Sequence, residues 1–315
     1  MNFYTGPDVA AGYLPGWEIG TSSVASNGSV TITSLLDSSG GTSSTALLGG
    51  TLNEAISANG TITESGPAFS GGTMKMSSNK QLVVGVTSLG NNRLLRIWVK
   101  QTGSFSNADL TGPFNYVSSR INSGTSTNWA FEQGTISSGI QTSTSLLYPT
   151  GPATPLAPGG PIQTDANGIL TYQGSPNWHG IMTPDKKLIF RVNTIGTNNY
   201  SFGVISILGQ TFSQGDVMGL YTELAIDNSP VWEYSTGFMF PNGVISATTF
   251  LDSTGNTSLA SGSGTGLTIS PSGLICISSN TSTNGFMSYN KNLVVFTSTW
   301  QPGGEFAMTL VLPGR

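Results

Sequence analysis

A nine-residue stretch written three times constrains this chain more than any other feature. Met76-Ser-Ser-Asn-Lys-Gln-Leu-Val-Val84 returns as Met182-Thr-Pro-Asp-Lys-Lys-Leu-Ile-Phe190 and as Met287-Ser-Tyr-Asn-Lys-Asn-Leu-Val-Val295, at steps of 106 and 105 residues. Each copy reads as the end of one strand, a tight polar turn and the start of an apolar strand. The 315 residues therefore divide into three units, 3–104, 105–211 and 212–315, within one domain spanning 1–315.

The rest of each unit is β in character. A tryptophan (Trp17, Trp129, Trp232) opens a strand, and Asn27-Gly28 and Asn242-Gly243 follow the first and third of these as hairpin turns. Alternation of apolar and hydroxyl residues, as in Ser29-Val-Thr-Ile-Thr-Ser-Leu35, marks half-buried strands. Second hairpins turn at Asn59-Gly60, Asn167-Gly168 and Ser272-Gly273. Each unit begins with a Phe and a nearby Asp (Phe3 and Asp8, Phe105 and Asp109, Phe212 and Asp216), read as one capped helical turn that connects units.

Composition agrees and excludes several functions. Only 8% of residues are charged, against about 25% in a typical soluble domain, and the basic ones are scattered. That leaves no footprint for nucleic acid, and no apolar run is long enough for membrane insertion. The single cysteine, Cys276, is expected to be a buried, inert thiol. No zinc or calcium spacing, phosphate loop or nucleophile motif occurs, so no cofactor and no metal are expected and catalytic residues are not identifiable. A surface rich in Ser, Thr, Asn and Gly suggests an exported protein, extracellular, on the cell surface or periplasmic. Its signal peptide would then lie outside the numbered chain, with Met1 added to a mature form.

Seven or eight strands per unit can be arranged in two ways. Two four-stranded blades per unit give a six-bladed β-propeller, the expected fold, because junctions between units are short and each unit has few large apolar residues for a core of its own. The alternative is three tandem β-barrels or sandwiches. The Thr183-Pro-Asp-Lys-Lys-Leu-Ile-Phe190 copy resembles the "s-p-d-g-k-x-l-y-v" blade signature of secreted bacterial β-propeller proteins, which favours the ring. It departs from that signature in having Asn79, Asp185 or Asn290 directly before Lys where the family has Gly. The resemblance covers about a tenth of the chain and brings no catalytic residues with it.

Where copies agree they are read as scaffold; function is sought where they differ. In the first unit only three residues separate Tyr13 from Trp17, as if most of its first strand were lost. The second unit carries five prolines between Pro149 and Pro161, which no central strand tolerates. It also carries Trp178-His179, and His179 is the only histidine. Trp178, His179, Tyr148 and Tyr172 are the candidate binding residues. The expected function is that of a non-enzymatic binding protein recognising a carbohydrate or protein partner through loops on one face. The alternatives are a glycoside-active enzyme with a carboxylate pair in the central mouth, and a structural subunit of a surface layer or filament.

Overall fold

The structure, a computed structural model, describes residues 1–4, 16–40, 52–65, 70–89, 92–122, 129–197, 199–227, 231–257, 266–277, 280–300 and 305–314. Its elements are strands and two short 3-10 turns, an all-β fold as expected. They form three sheets, one per unit. In the first, eight strands from Asn2–Tyr4 to Asn92–Val99 pair in chain order, and the last returns to the first to close a barrel. In the second, Gly112–Asn122 lies between Trp129–Ser137 and Asn199–Ile207, and successive strands run outward to the edges Gly151–Ala153 and Ile162–Thr164. In the third, Gly219–Asp227 lies between Trp232–Met239 and Glu305–Gly314, with edges Ile245–Asp252 and Leu267–Ile269.

The six-bladed propeller is not what these pairings build. In every unit an early strand pairs with the unit's last strand, so the sheet curls back on itself instead of ending after four strands. The tandem-barrel alternative is compatible with this topology. All three units share one backbone bond at one end: Glu54 N donates to Gly28 O, Ile162 N to Gly139 O and Leu267 N to Gly243 O, at 2.8–2.9 Å. Glycine is required at these turns for two reasons. Its φ is 81–86°, and a Cβ would lie 2.0–2.2 Å from the carbonyl oxygen of Glu54, Ile162 or Leu267. Among the described residues the edge strands of the second unit do not pair beyond this bond, and those of the third meet only at the bridge of Val244 with Gly266, which leaves a seam.

The thrice-written stretch is one hairpin turn, made the same way each time. Ser77, Thr183 and Ser288 take the N–H of Leu82, Leu188 and Leu293 on their hydroxyl oxygens, at 3.0–3.1 Å, and donate that hydroxyl to the side chain of Asn79, Asp185 or Asn290. Lys80, Lys186 and Lys291 occupy the left-handed region at φ 58–61°, the backbone task that Gly performs in the propeller signature. Two of these lysines are also latches. Lys186 Nζ lies 2.9 Å from Asp109 and Lys291 Nζ 2.8 Å from Asp216, and their ammonium groups sit over the rings of Phe105 and Phe212. Asp109 and Asp216 close the 3-10 turns by accepting the N–H of Ser106 and Ser213. The Phe-and-Asp connectors of the second and third units thus meet the repeated turn.

Phe3 is not a third member of that set. It lies in a strand, paired with Trp17 and Leu95. The first strand of the first unit is therefore present, though only three residues long against eleven for Gly112–Asn122. Asp8 and Tyr13 fall outside the described residues. Cys276 is also a correction: alternation along Leu274–Ile277 buries Ile275 and puts the thiol on the exposed face.

Strands such as Leu82–Leu89 and the start of Leu188–Gly196 carry runs of apolar residues because both of their faces are covered. One face lines the inside of its own unit, where Tyr116, Ile189 and Ile205, or Tyr221, Val294 and Val311, form local cores. The other contributes to one core shared by all three units, with Trp17, Val84 and Leu95, Trp129, Val192 and Phe202, and Trp232, Val295 and Leu310. The shared core resolves the shortage of large apolar residues per unit. Three indoles join the units in a cycle: Trp17 Nε1 donates to Thr194 Oγ1 (2.9 Å), Trp129 Nε1 to Thr299 Oγ1 (2.9 Å) and Trp232 Nε1 to Ser88 Oγ (2.8 Å). Each acceptor lies eight residues after the lysine of its own unit's turn.

Two expectations follow. Trp232→Ala, which empties a site 2% exposed, lowers stability by about 3–5 kcal/mol in urea denaturation, and the transition stays single because the core is common to all units. Trp232→Phe, which keeps most of the packing, loses roughly 1 kcal/mol. Second, burial alone would raise the Asp216 pKa, but hydrogen bonds from Lys291 and Ser213 and the lysine charge outweigh it and hold the carboxyl below its ordinary value. A depressed folded-state pKa stabilises above the unfolded value and loses that contribution as pH falls through the folded one. Lys291→Met should move the Asp216 pKa upward, read by NMR titration, and narrow the acid side of the stability profile.

Candidate functional site

The seam of the second unit opens into a cavity of about 270 Å³. Its walls follow from strand alternation. Tyr116, Ser118 and Arg120 point inward from Gly112–Asn122, Ala130 and Glu132 from Trp129–Ser137, Arg191 and Asn193 from Leu188–Gly196, and Trp178 from Ser175–Met182. Their sequence neighbours Val117, Trp129, Phe131, Phe190 and Val192 face the shared core instead. The floor is the local apolar core, with Ile162 and Ile205. Gln141, Ser143, Leu146 and Tyr148 complete one side of the seam and Tyr172 the other.

The proline-rich segment forms part of the mouth. Gly151–Ala153 pairs with the end of Ile140–Tyr148, and the chain then passes the seam, where Leu156, Ala157 and Gly159 line the cavity. It is fastened on the far side: Gly160 N donates to Tyr172 Oη (3.1 Å) and Gln173 N to Pro161 O (3.2 Å). Gly159 permits this approach, since a Cβ there would be 2.2 Å from the Tyr172 hydroxyl.

Trp178, Tyr148 and Tyr172 thus lie around one cavity, with the Trp178 and Tyr172 ring centres 6.1 Å apart. Trp178 is only 6% exposed and belongs to the local core as well. His179 is not with them. One residue along the strand, it faces the opposite way and lies 5.3 Å from the Trp17 ring of the first unit. Burial pushes its imidazole pKa down, partly opposed by a hydrogen bond to the Pro176 backbone.

The cavity also holds Arg191, which the sequence did not single out, and Glu132, which it offered only as one of several acids that could serve in a carboxylate pair. Arg191 sits in a row between two glycines, paired with Gly180 on one side and Gly203 on the other. Into the space these leave come two rings. Tyr116 lies over Gly203, where a Cβ would be 2.5 Å from the ring, and Trp178 over Gly180, at 3.2 Å. The guanidinium is 4.6 Å from the Tyr116 centroid and 6.0 Å from that of Trp178. Burial lowers the Arg191 pKa to about 9, so the group stays charged at neutral pH. Glu132, 3% exposed, accepts from Gln141 Nε2 at 3.0 Å. Burial pushes its carboxyl pKa up, and the Gln141 hydrogen bond opposes this. The signal that could have revealed Arg191 was the pair of flanking glycines, but it needs the strand register.

The other units do not repeat this arrangement. The first has a cavity of about 50 Å³ with Arg96 and Glu18. In the third, Phe296 stands at the register position of Arg191 and joins the local core. Among the residues that line the described cavities, Glu132 is the one acid in the second unit and Glu18 the one acid in the first, whereas two-carboxylate glycoside hydrolysis needs a pair. Where the three units meet, the described residues form the shared apolar core. Among the described residues no group of three or more His, Cys, Asp or Glu could hold a metal ion, and no helix is long and apolar enough to cross a membrane.

No protein-family model matches the chain, and no curated protein matches it. Among solved structures, the chain is similar to isotype 1 transferrin binding protein B from serogroup B Neisseria meningitidis, with 8% identity and a TM-score of 0.27, covering 91% of this chain and 60% of that one. It is also similar to a protein of unknown function from the DUF3598 family of Nostoc punctiforme (9%, TM-score 0.21, 66% and 97% covered). A third likeness is to a double mutant of transferrin binding protein B from Haemophilus parasuis (10%, TM-score 0.21, 94% and 65% covered). The chain thus spans about 60% of the length of the neisserial protein. At these TM-scores the likeness transfers neither fold nor function.

The cradle around Arg191 can be tested directly. Gly203→Ala places a methyl against Tyr116, so the ring must move off the guanidinium. The variant is expected to lose about 1–3 kcal/mol of stability and to change the near-ultraviolet circular dichroism of the Tyr116 and Trp178 pair.

Proposed function

We propose that the protein is an exported binding protein, acting outside the cytoplasm or at the cell surface, and that it holds a carbohydrate ring in the cavity of the second unit. The observation that carries this reading is the joining of Trp178, Tyr172 and Tyr148 around one cavity that also presents Glu132, Gln141, Ser118 and Asn193. Aromatic faces take the apolar side of a sugar ring, while amide, hydroxyl and carboxyl groups take its hydroxyls. A volume of about 270 Å³ lies just under the ~300–1,000 Å³ typical of small-molecule sites, enough for the end of a glycan rather than a long chain. The proline-rich segment at the mouth sets which ends can enter. A protein partner presenting a side chain to the same mouth is the second reading, favoured by the exposed Leu156 on that segment.

A glycan array followed by titration of tryptophan fluorescence tests the first reading. Saturable quenching or enhancement is expected with a terminal-sugar ligand, and Tyr148→Ala, at the mouth and outside the packed core, should weaken binding roughly tenfold. Binding that is unaffected by Tyr148→Ala and Tyr172→Phe places the site elsewhere. An array with no ligand at all removes the carbohydrate reading.

A further inference from the structure

We propose that Arg191 anchors a carboxylate on the bound ring, so that the cavity selects an acidic sugar over its neutral counterpart. This rests on the reading of the second unit as a carbohydrate site.

The argument starts from what Arg191 lacks. Lys186 and Lys291 each have a carboxylate within 3 Å, and Arg96 shares its cavity with Glu18. Arg191 has no carboxylate within salt-bridge distance among the described residues. Glu132 is the acid of the same cavity, but two strands intervene between the two groups, and Glu132 is engaged by Gln141. A guanidinium carries five N–H donors in its plane and a positive charge. Tyr116 and Trp178 approach that charge with their rings, which eases its desolvation but accepts none of the in-plane hydrogen bonds. Among the described residues no hydrogen bond engages these N–H groups, the residue lines the cavity, and the partner that fits such an edge is a planar, bidentate anion.

The surroundings make room for the two rings that lie against the guanidinium. Gly180 and Gly203 clear the row on either side of Arg191. A larger residue at either position would displace the ring lying over it. The Tyr116 hydroxyl is buried without a partner in the wall of the same cavity and supplies a further donor for a carboxylate oxygen. A charge left unpaired in this way opposes folding, which is expected of a group kept for a ligand rather than for stability.

The experiment compares D-glucuronate with D-glucose by calorimetric or fluorescence titration, with benzoate and benzyl alcohol as a second acid-and-neutral pair. Each is measured against the native protein, Arg191→Met and Arg191→Lys. The expected result is that glucuronate binds at least tenfold more tightly than glucose. Arg191→Met should abolish that preference without lowering the unfolding midpoint, and Arg191→Lys should restore only part of it. Equal binding of glucose and glucuronate would overturn the role of Arg191 while leaving the carbohydrate reading intact. A preference for benzoate over benzyl alcohol, with neither sugar bound, would keep the role of Arg191 and overturn the carbohydrate reading. If no probe binds, or if Arg191→Met lowers the unfolding midpoint by several degrees, Arg191 is a packing element and the proposal fails.

Discussion

The structure depends on three indole N–H groups, each bonded to a hydroxyl of another unit. Trp17, Trp129 and Trp232 reach Thr194, Thr299 and Ser88 in turn, and around them the outer faces of all three sheets merge into one core. Each bond by itself contributes only about 1 kcal/mol net. What gives them weight is place. A buried indole N–H without an acceptor is costly, so the three bonds admit only one rotational setting of each unit against its neighbours. Packing supplies the stability and the tryptophans supply the register.

That shared core also explains how one unit can carry an imperfect interior. A lone barrel of about this size needs a well-filled lumen, because its outer face is wet. Here one side of each sheet is already dry. The second unit can therefore hold a cavity and an unpaired guanidinium while the Phe105 and Leu110 side of its lumen stays packed. The first and third units have the smaller cavity and the phenylalanine at the corresponding position.

Much of this was legible in the residues, and the gaps have physical causes. The repeated turn was readable because hydroxyl, Asn or Asp, and Lys perform local tasks within six residues. That Lys186 and Lys291 latch onto Asp109 and Asp216 was not, since the partners are 77 and 75 residues away. The choice of propeller over barrels turned on a long-range pairing, first strand to last, that local alternation does not encode. Trp178, Tyr172 and Tyr148, all candidates from the sequence, come together around one cavity. His179 lies apart from them because neighbours on a strand face opposite ways, and Arg191 was passed over because only the register shows what stands beside it.

The direction of the tryptophan bonds has one more consequence. The first unit gives to the second, the second to the third and the third to the first. A solenoid ends in a spare donor face that another copy can extend. Here the donor of the third unit is consumed by the acceptor of the first, so the three units close on one another. A fourth copy would find these three hydroxyls already taken, and could join only by breaking one of the three bonds and bonding into the gap.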